Sequence, residues 1–206
     1  MPHDIYQIKV TLLGTKPPIW RSLLVPAAMT LAQLHDALQI AMGWEDCHLH
    51  QYEIAGQGYG VPDPDMDFGD RTINEKTVHL CDVLGSTGAE AIYTYDFGDG
   101  WEHSIVVEKL MKPEPGVAYP ICTGGKLHCP PEDCSGVYGY YDFLEAISDP
   151  DHEQHEEMIE WIGGHFDPEA FSVEEINAKL ANLQRRLPEL KSKARSGKGK
   201  HVPPKF

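Results

Sequence analysis

Apolar and polar positions alternate at the start of the chain: Tyr6, Ile8, Val10 and Leu12 are interleaved with Gln7, Lys9 and Thr11. This period of two marks a strand with one buried face. "GTKPP" then breaks the chain, and "IWRSLLV" reads as the hairpin partner. The period changes in "TLAQLHDALQIAMGW", where Leu31, Leu34, Leu38 and Met42 recur at helical intervals. Thr30 and Gln33 have capping-box spacing in front of that stripe and Gly43 stands behind it. "HLHQYEI" predicts a third strand, followed by a loop from Ala55 to Asp70 and a short segment around "TVHLCDVL". Two more strands are expected over Ala91 to Asp96 and Glu102 to Leu110. The C-terminal half reads as helical: "GYYDFLEAI" aligns Tyr140, Leu144 and Ile147, and "DPDHEQHEEMIEWIGG" has Asp151 as its expected cap. A last helix starts at Ser172, with Glu175 at capping-box spacing. Hairpin, helix, strand is the order of an α+β fold: a β-grasp-like mixed sheet with one packed helix, followed by a C-terminal helical portion.

The stretch "YDFGDGWEH" carries the densest chemistry. Asp99-Gly100 suits a two-residue type I′ turn, because both central positions need positive φ. In that register Asp96 faces His103 beside Trp101, Phe97 faces Glu102, and Tyr93, Tyr95 and Phe97 share the opposite face. Two readings stand: a hairpin tip closed by a cross-strand ion pair, or an acid–base or metal-ligand pair in which the carboxylate orients the imidazole.

Three cysteines, Cys122, Cys129 and Cys134, cluster in "YPICTGGKLHCPPEDC" with His128 beside them. Only the second spacing, four residues, matches a zinc knuckle. His103, His155 or His165 would have to supply a fourth ligand. The competing reading is a set of thiols in a loop that connects sheet to helices, and zinc is the one cofactor this segment suggests. Asp63, Asp65 and Asp67 imitate the start of a calcium loop, but Phe68 and Asn74 stand where a glycine and a bidentate glutamate are required. His152 and His155 share a helical face but match no zincin spacing.

Charge adds a division. The chain has 17 basic and 32 acidic residues. From Lys191 onward there are six basic residues and no acids, so residues 1–190 carry a net −21. Such a body repels a phosphate backbone and favours basic protein partners. We expect one domain over 1–190 and a disordered basic tail over Lys191–Phe206, through which nucleic acid would have to be contacted. No apolar run is long enough for a membrane span and no secretory pattern opens the chain, so the expected address is the cytoplasm. The five cysteines then read as reduced thiols.

"PPIWRSLLVP", "TLAQLHDALQIAMGW", "HLHQYEI", "YDFGDGWEHSIVVEKL" and "CPPEDCSGVYGYYDFLEAISDPDHEQHEEMIEWIGGHFDPEAF" occur together and in this order. This set resembles the plasmid pRiA4b ORF-3-like family, over nearly everything from Tyr6 to about Leu187. The resemblance implies association with plasmids and mobile elements, and for some members a resolvase-like label. It implies no catalytic residues, and the chain has neither a serine-recombinase motif nor a basic DNA-binding helix. Family members commonly have "CPPEDVGG", whereas this chain places Cys134 in "CPPEDCSG". The function expected is a non-catalytic binding or accessory module. The alternative is a metal-dependent hydrolase that uses Asp96, Asp99, Glu102 and His103, with His155 as a further ligand.

Overall fold

The computed structural model describes residues 4–62 and 72–187. The acidic triad Asp63, Asp65 and Asp67 and the basic tail lie outside the described residues.

Among the described residues, eight strands form one mixed sheet and five α-helices accompany it. The strands are β1 (Ile5–Leu12), β2 (Trp20–Pro26), β3 (His50–Ile54), β4 (Gln57–Gly60), β5 (Ile73–Asn74), β6 (Glu90–Tyr95), β7 (Trp101–Met111) and β8 (Ile121–Lys126). Their order across the sheet is β5-β4-β3-β6-β7-β1-β2-β8. Every neighbouring pair is antiparallel except β4 and β5. The expected α+β class is what the chain adopts, and the sheet is not closed into a barrel.

β1 is buried at Ile8, Val10 and Leu12 and half-buried at Gln7, Lys9 and Thr11, as its alternation requires. Helix α1 (Leu31–Met42) covers the packed face with Leu31, Leu34, Ala37, Leu38, Ala41 and Met42. Its capping box forms: Thr30 Oγ1 accepts from Gln33 N at 3.2 Å, and Gln33 Oε1 accepts from Thr30 N at 2.9 Å. Gly43 ends the helix at φ 92°. A short helix α2 (Leu80–Val83) follows the 3-10 turn at Glu75–Thr77. Helices α3 (Gly136–Ser148), α4 (His155–Trp161) and α5 (Val173–Arg186) make the C-terminal portion. Ser172 caps α5, accepting from Glu175 N at 3.2 Å.

Four expectations are corrected. The expected loop from Ala55 contains a strand: Ala55 and Gly56 turn the chain with positive φ, and β4 folds back on β3. "ICTGGK", read as connector, is the edge strand β8, paired with β2. Asp151 does not cap a helix; α4 starts at His155 after Gln154, so His152 lies before it. The hairpin register also differs. Tyr95 pairs with Trp101 and Tyr93 with His103, so residues 96–100 form a longer loop closed by Gly100 N to Asp96 O at 2.6 Å. The reason is burial. The two-residue turn would put Tyr93 and Tyr95 on the face opposite Trp101 and His103, whereas an odd shift places all four side chains inside, where each is at most 0% exposed.

Candidate functional site

Three loops meet at one end of the sheet: residues 43–49 between α1 and β3, 96–100 between β6 and β7, and 127–135 between β8 and α3. Aromatic packing and hydrogen bonds hold them together. Trp44 stacks on Tyr95 with ring centroids 5.1 Å apart and donates through Nε1 to Pro130 O at 3.0 Å. The Tyr95 hydroxyl accepts from the backbone of Cys47 (2.9 Å) and His48 (3.3 Å) and donates to Glu132 Oε1 at 2.5 Å. Asp96 N donates to Leu49 O at 2.8 Å.

Backbone strain is concentrated here. The described residues other than glycine with positive φ are Asp46, Ala55, Asp96, Leu127, Asp133 and Ser135, and all but Ala55 lie in these loops. Asp tolerates this conformation better than most residues, and it occupies three of these six positions, Asp46, Asp96 and Asp133. Asp96 adds an Asx turn, its Oδ1 accepting from Gly98 N at 2.9 Å.

The loops carry Glu45, Asp46, Asp96, Asp99, Glu132 and Asp133 and no Lys or Arg. His48 stands among them, its Nε2 3.1 Å from Asp133 Oδ1 and 3.7 Å from Asp96 Oδ2. Beside the acids, Leu49 and Phe97 are 59% and 52% exposed. The result is a negatively charged mouth flanked by apolar side chains.

Two groups of ligand atoms lie in this mouth, His48 with Asp96 and Asp133, and Glu45 with Cys47 and Glu132. A third lies deeper. His35 on α1 and His50 on β3 stack face to face, centroids 3.5 Å apart and planes within 6°. His35 Nε2 is 2.7 Å from Asp46 Oδ1, and its Nδ1 is 2.8 Å from the Tyr93 hydroxyl. His50 Nε2 is 2.8 Å from Oε2 of the buried Glu75. Gln39 braces both sides: its Nε2 donates to the Tyr93 hydroxyl at 3.0 Å, and its Oε1 accepts from Asp46 N at 3.1 Å. Burial, then the neighbouring His50, lowers the pKa of His35 against the opposing pull of Asp46.

The residues singled out from sequence are scattered around this end. Asp96 is in the mouth. Asp99 is in the same loop, its carbonyl against Gly136. Glu102 is exposed on the open face of the sheet. His103 is 0% exposed in the core, with Nδ1 3.2 Å from Tyr93 O. The expected Asp96–His103 pair is therefore not made, as the register requires. The cysteines take separate partners: Cys122 the carbonyl of Gly124, Cys129 the guanidinium of Arg21 at 3.2 Å, and Cys134 the carbonyl of Gly136. His128 turns to Cys129 O and the ring of Phe166, His155 binds Ala146 O, and His165 is exposed. The structure does not gather the cysteine segment and these histidines around one point among the described residues.

Burial holds the Cys129 and Cys134 thiols up at about 11 and about 12. Neither is an activated nucleophile. Timed alkylation with a maleimide at neutral pH should label exposed Cys47 first and leave Cys129 and Cys134 unlabelled in the folded chain. Rapid labelling of Cys129 would contradict the burial argument.

Residues His35, Asp46, His48, His50, Glu75, Glu132 and Asp133 were not singled out in the sequence. One signal was available: His35 sits within the apolar stripe of α1, four residues after Leu31.

A family model described as plasmid pRiA4b ORF-3-like protein matches residues 4–175. The chain belongs to the plasmid pRiA4b ORF-3-like family. Within the family, it is similar to the uncharacterized protein y4hQ of Sinorhizobium fredii (strain NBRC 101917 / NGR234), with 40% identity over 185 residues, covering 89% of this chain and 94% of that protein. A solved crystal structure, of a protein of unknown function from Methanosarcina mazei Go1, is also similar, with 39% identity and a TM-score of 0.75. That match covers 84% of this chain and 96% of the other. These relatives are uncharacterized, so the family carries no named activity to this chain. No helix among the described residues is long and apolar enough to cross a membrane.

Proposed function

We propose that this chain is a non-catalytic binding module that takes a basic, partly apolar segment of a protein partner at the mouth formed by residues 43–49, 96–100 and 127–135. The observation that carries this reading is charge with shape: six acids and no Lys or Arg, on loops held in strained backbone, beside the exposed Leu49 and Phe97. Complementary charge steers encounter, and exposed apolar side chains supply the anchors. The hydrolase alternative needs Asp96, Asp99, Glu102 and His103 about one centre. Their division between loop, open face and core does not favour it.

A labelled short peptide alternating lysine and phenylalanine tests the proposal by fluorescence anisotropy. Asp96→Asn/Glu132→Gln/Asp133→Asn removes three charges while keeping side-chain size and tolerance of positive φ. It should weaken binding roughly tenfold or more, and added salt should do the same to the unmodified chain. Neutralising Glu153, Glu156 and Glu157, which are exposed near and on α4, removes equal charge elsewhere and should change affinity little. Equal loss in both triple variants, or no binding by the unmodified chain, would reject the mouth as the site.

A further inference from the structure

At the floor of the mouth, three groups from three separate segments converge, His35 from α1, Asp46 from the following loop and His50 from β3, with Glu75 from the 3-10 turn behind His50. We propose that His35, Asp46 and His50 form a binding site for one divalent transition-metal ion of the zinc and cobalt type, with Glu75 orienting His50 from behind.

The first argument is placement. One ligand atom from each of His35, Asp46 and His50 lies within 4.8 Å of the other two. Glu75 Oε2 is 2.8 Å from His50 Nε2, so a second carboxylate backs one of the three ligands. Binding an ion would tilt the two rings out of their parallel stack, so that both in-plane lone pairs meet it.

The second argument is charge. The buried Glu75 carboxylate faces His50, and the Asp46 carboxylate, 56% exposed, faces His35 from the solvent side, so the two imidazoles lie between two negative groups, a setting that attracts a dication.

The third argument is support from behind. A metal-bound histidine characteristically uses its other ring nitrogen to bond an orienting partner. His35 Nδ1 faces the Tyr93 hydroxyl at 2.8 Å, and Gln39 fixes that hydroxyl and the backbone of Asp46 together. Asp46, at φ 59°, has its Oδ1 2.7 Å from His35 Nε2. Two imidazoles and one carboxylate suit zinc or cobalt, whereas calcium and magnesium prefer oxygen ligands throughout.

Cobalt(II) supplies a direct probe. The full chain, stripped with chelator and then freed of it, should bind one Co2+ and develop the strong visible absorption of four- or five-coordinate cobalt, without a thiolate charge-transfer band. His50→Gln should weaken binding roughly 100-fold or more, and Glu75→Gln, which removes only an outer partner, roughly tenfold. Should either fail to fold by circular dichroism, Asp46→Asn, at a side chain 56% exposed, gives the same test with little risk to the fold. The proposal is overturned if the chain leaves the weak spectrum of aqueous cobalt unchanged. It is also overturned if affinity survives Asp46→Asn and His50→Gln, or if a thiolate band appears that Cys129→Ser/Cys134→Ser removes. Peptide docking at the mouth and cobalt binding at its floor are measured separately, so either can fail alone.

Discussion

Arg21→Met should destabilise the chain by about 3–5 kcal/mol, more than any surface substitution and enough to populate unfolded protein at moderate temperature. Arg21 lies on β2 and is 3% exposed. Its Nε donates to Ala41 O at 2.9 Å, and its Nη1 to Trp20 O at 2.8 Å and Lys126 O at 3.1 Å. It also stacks on Phe171, 4.8 Å from the ring centroid. One guanidinium therefore joins β2, β8, the last turn of α1 and the segment before α5. Methionine fills much of the volume but leaves these carbonyls without their donor. Arg21→Lys should recover less than half of the loss, because a single ammonium cannot reproduce the fork. Urea denaturation of the three proteins measures both, and a loss below about 1 kcal/mol for Arg21→Met would contradict the role.

The second large effect concerns pH. Burial lowers the pKa of His103 from 6.5 to about 4. Its folded-state pKa is below its unfolded one, so the unfolded chain binds the proton more readily. The His103 contribution is present in full above about pH 6.5 and is lost as pH falls towards 4, by about 3 kcal/mol in all. His103→Gln cannot take up that proton. The stability difference between the unmodified chain and this variant should therefore shift by that amount against the unmodified chain between pH 7 and pH 4. Parallel stability curves across that range would show that His103 is not held neutral by the core.

Local signals were legible where neighbours in sequence are also partners. Thr30 and Gln33 specify their capping box within four residues, and the alternation of β1 needs only a buried face. The 96–100 loop defeated local reading because Asp99-Gly100 favours one turn, while Tyr93, Tyr95, Trp101 and His103 all require the core. β8 was missed because Gly124 and Gly125 weaken its strand character, and its pairing partner β2 is about a hundred residues away.

The candidate sites were less legible still. Asp96 was visible as chemistry, but its partner is His48, from the loop after α1, and not His103. His35 looks like part of an apolar stripe until β3 brings His50 beneath it. Glu75 lies in "INEKT", which reads as a solvated turn. It becomes buried because β5 pairs with β4 and carries the following turn to the sheet. Such positions depend on long-range pairing, which leaves no local mark.

The central claim is that the loop end of the sheet is the binding end of the molecule. Backbone amide chemical shifts recorded while the lysine–phenylalanine peptide is added test it most directly. The account predicts that perturbed amides cluster at residues 44–49, 96–99 and 131–135. Perturbations concentrated on α3 to α5, or on the open face of the sheet around Glu102 and Ser104, would contradict it.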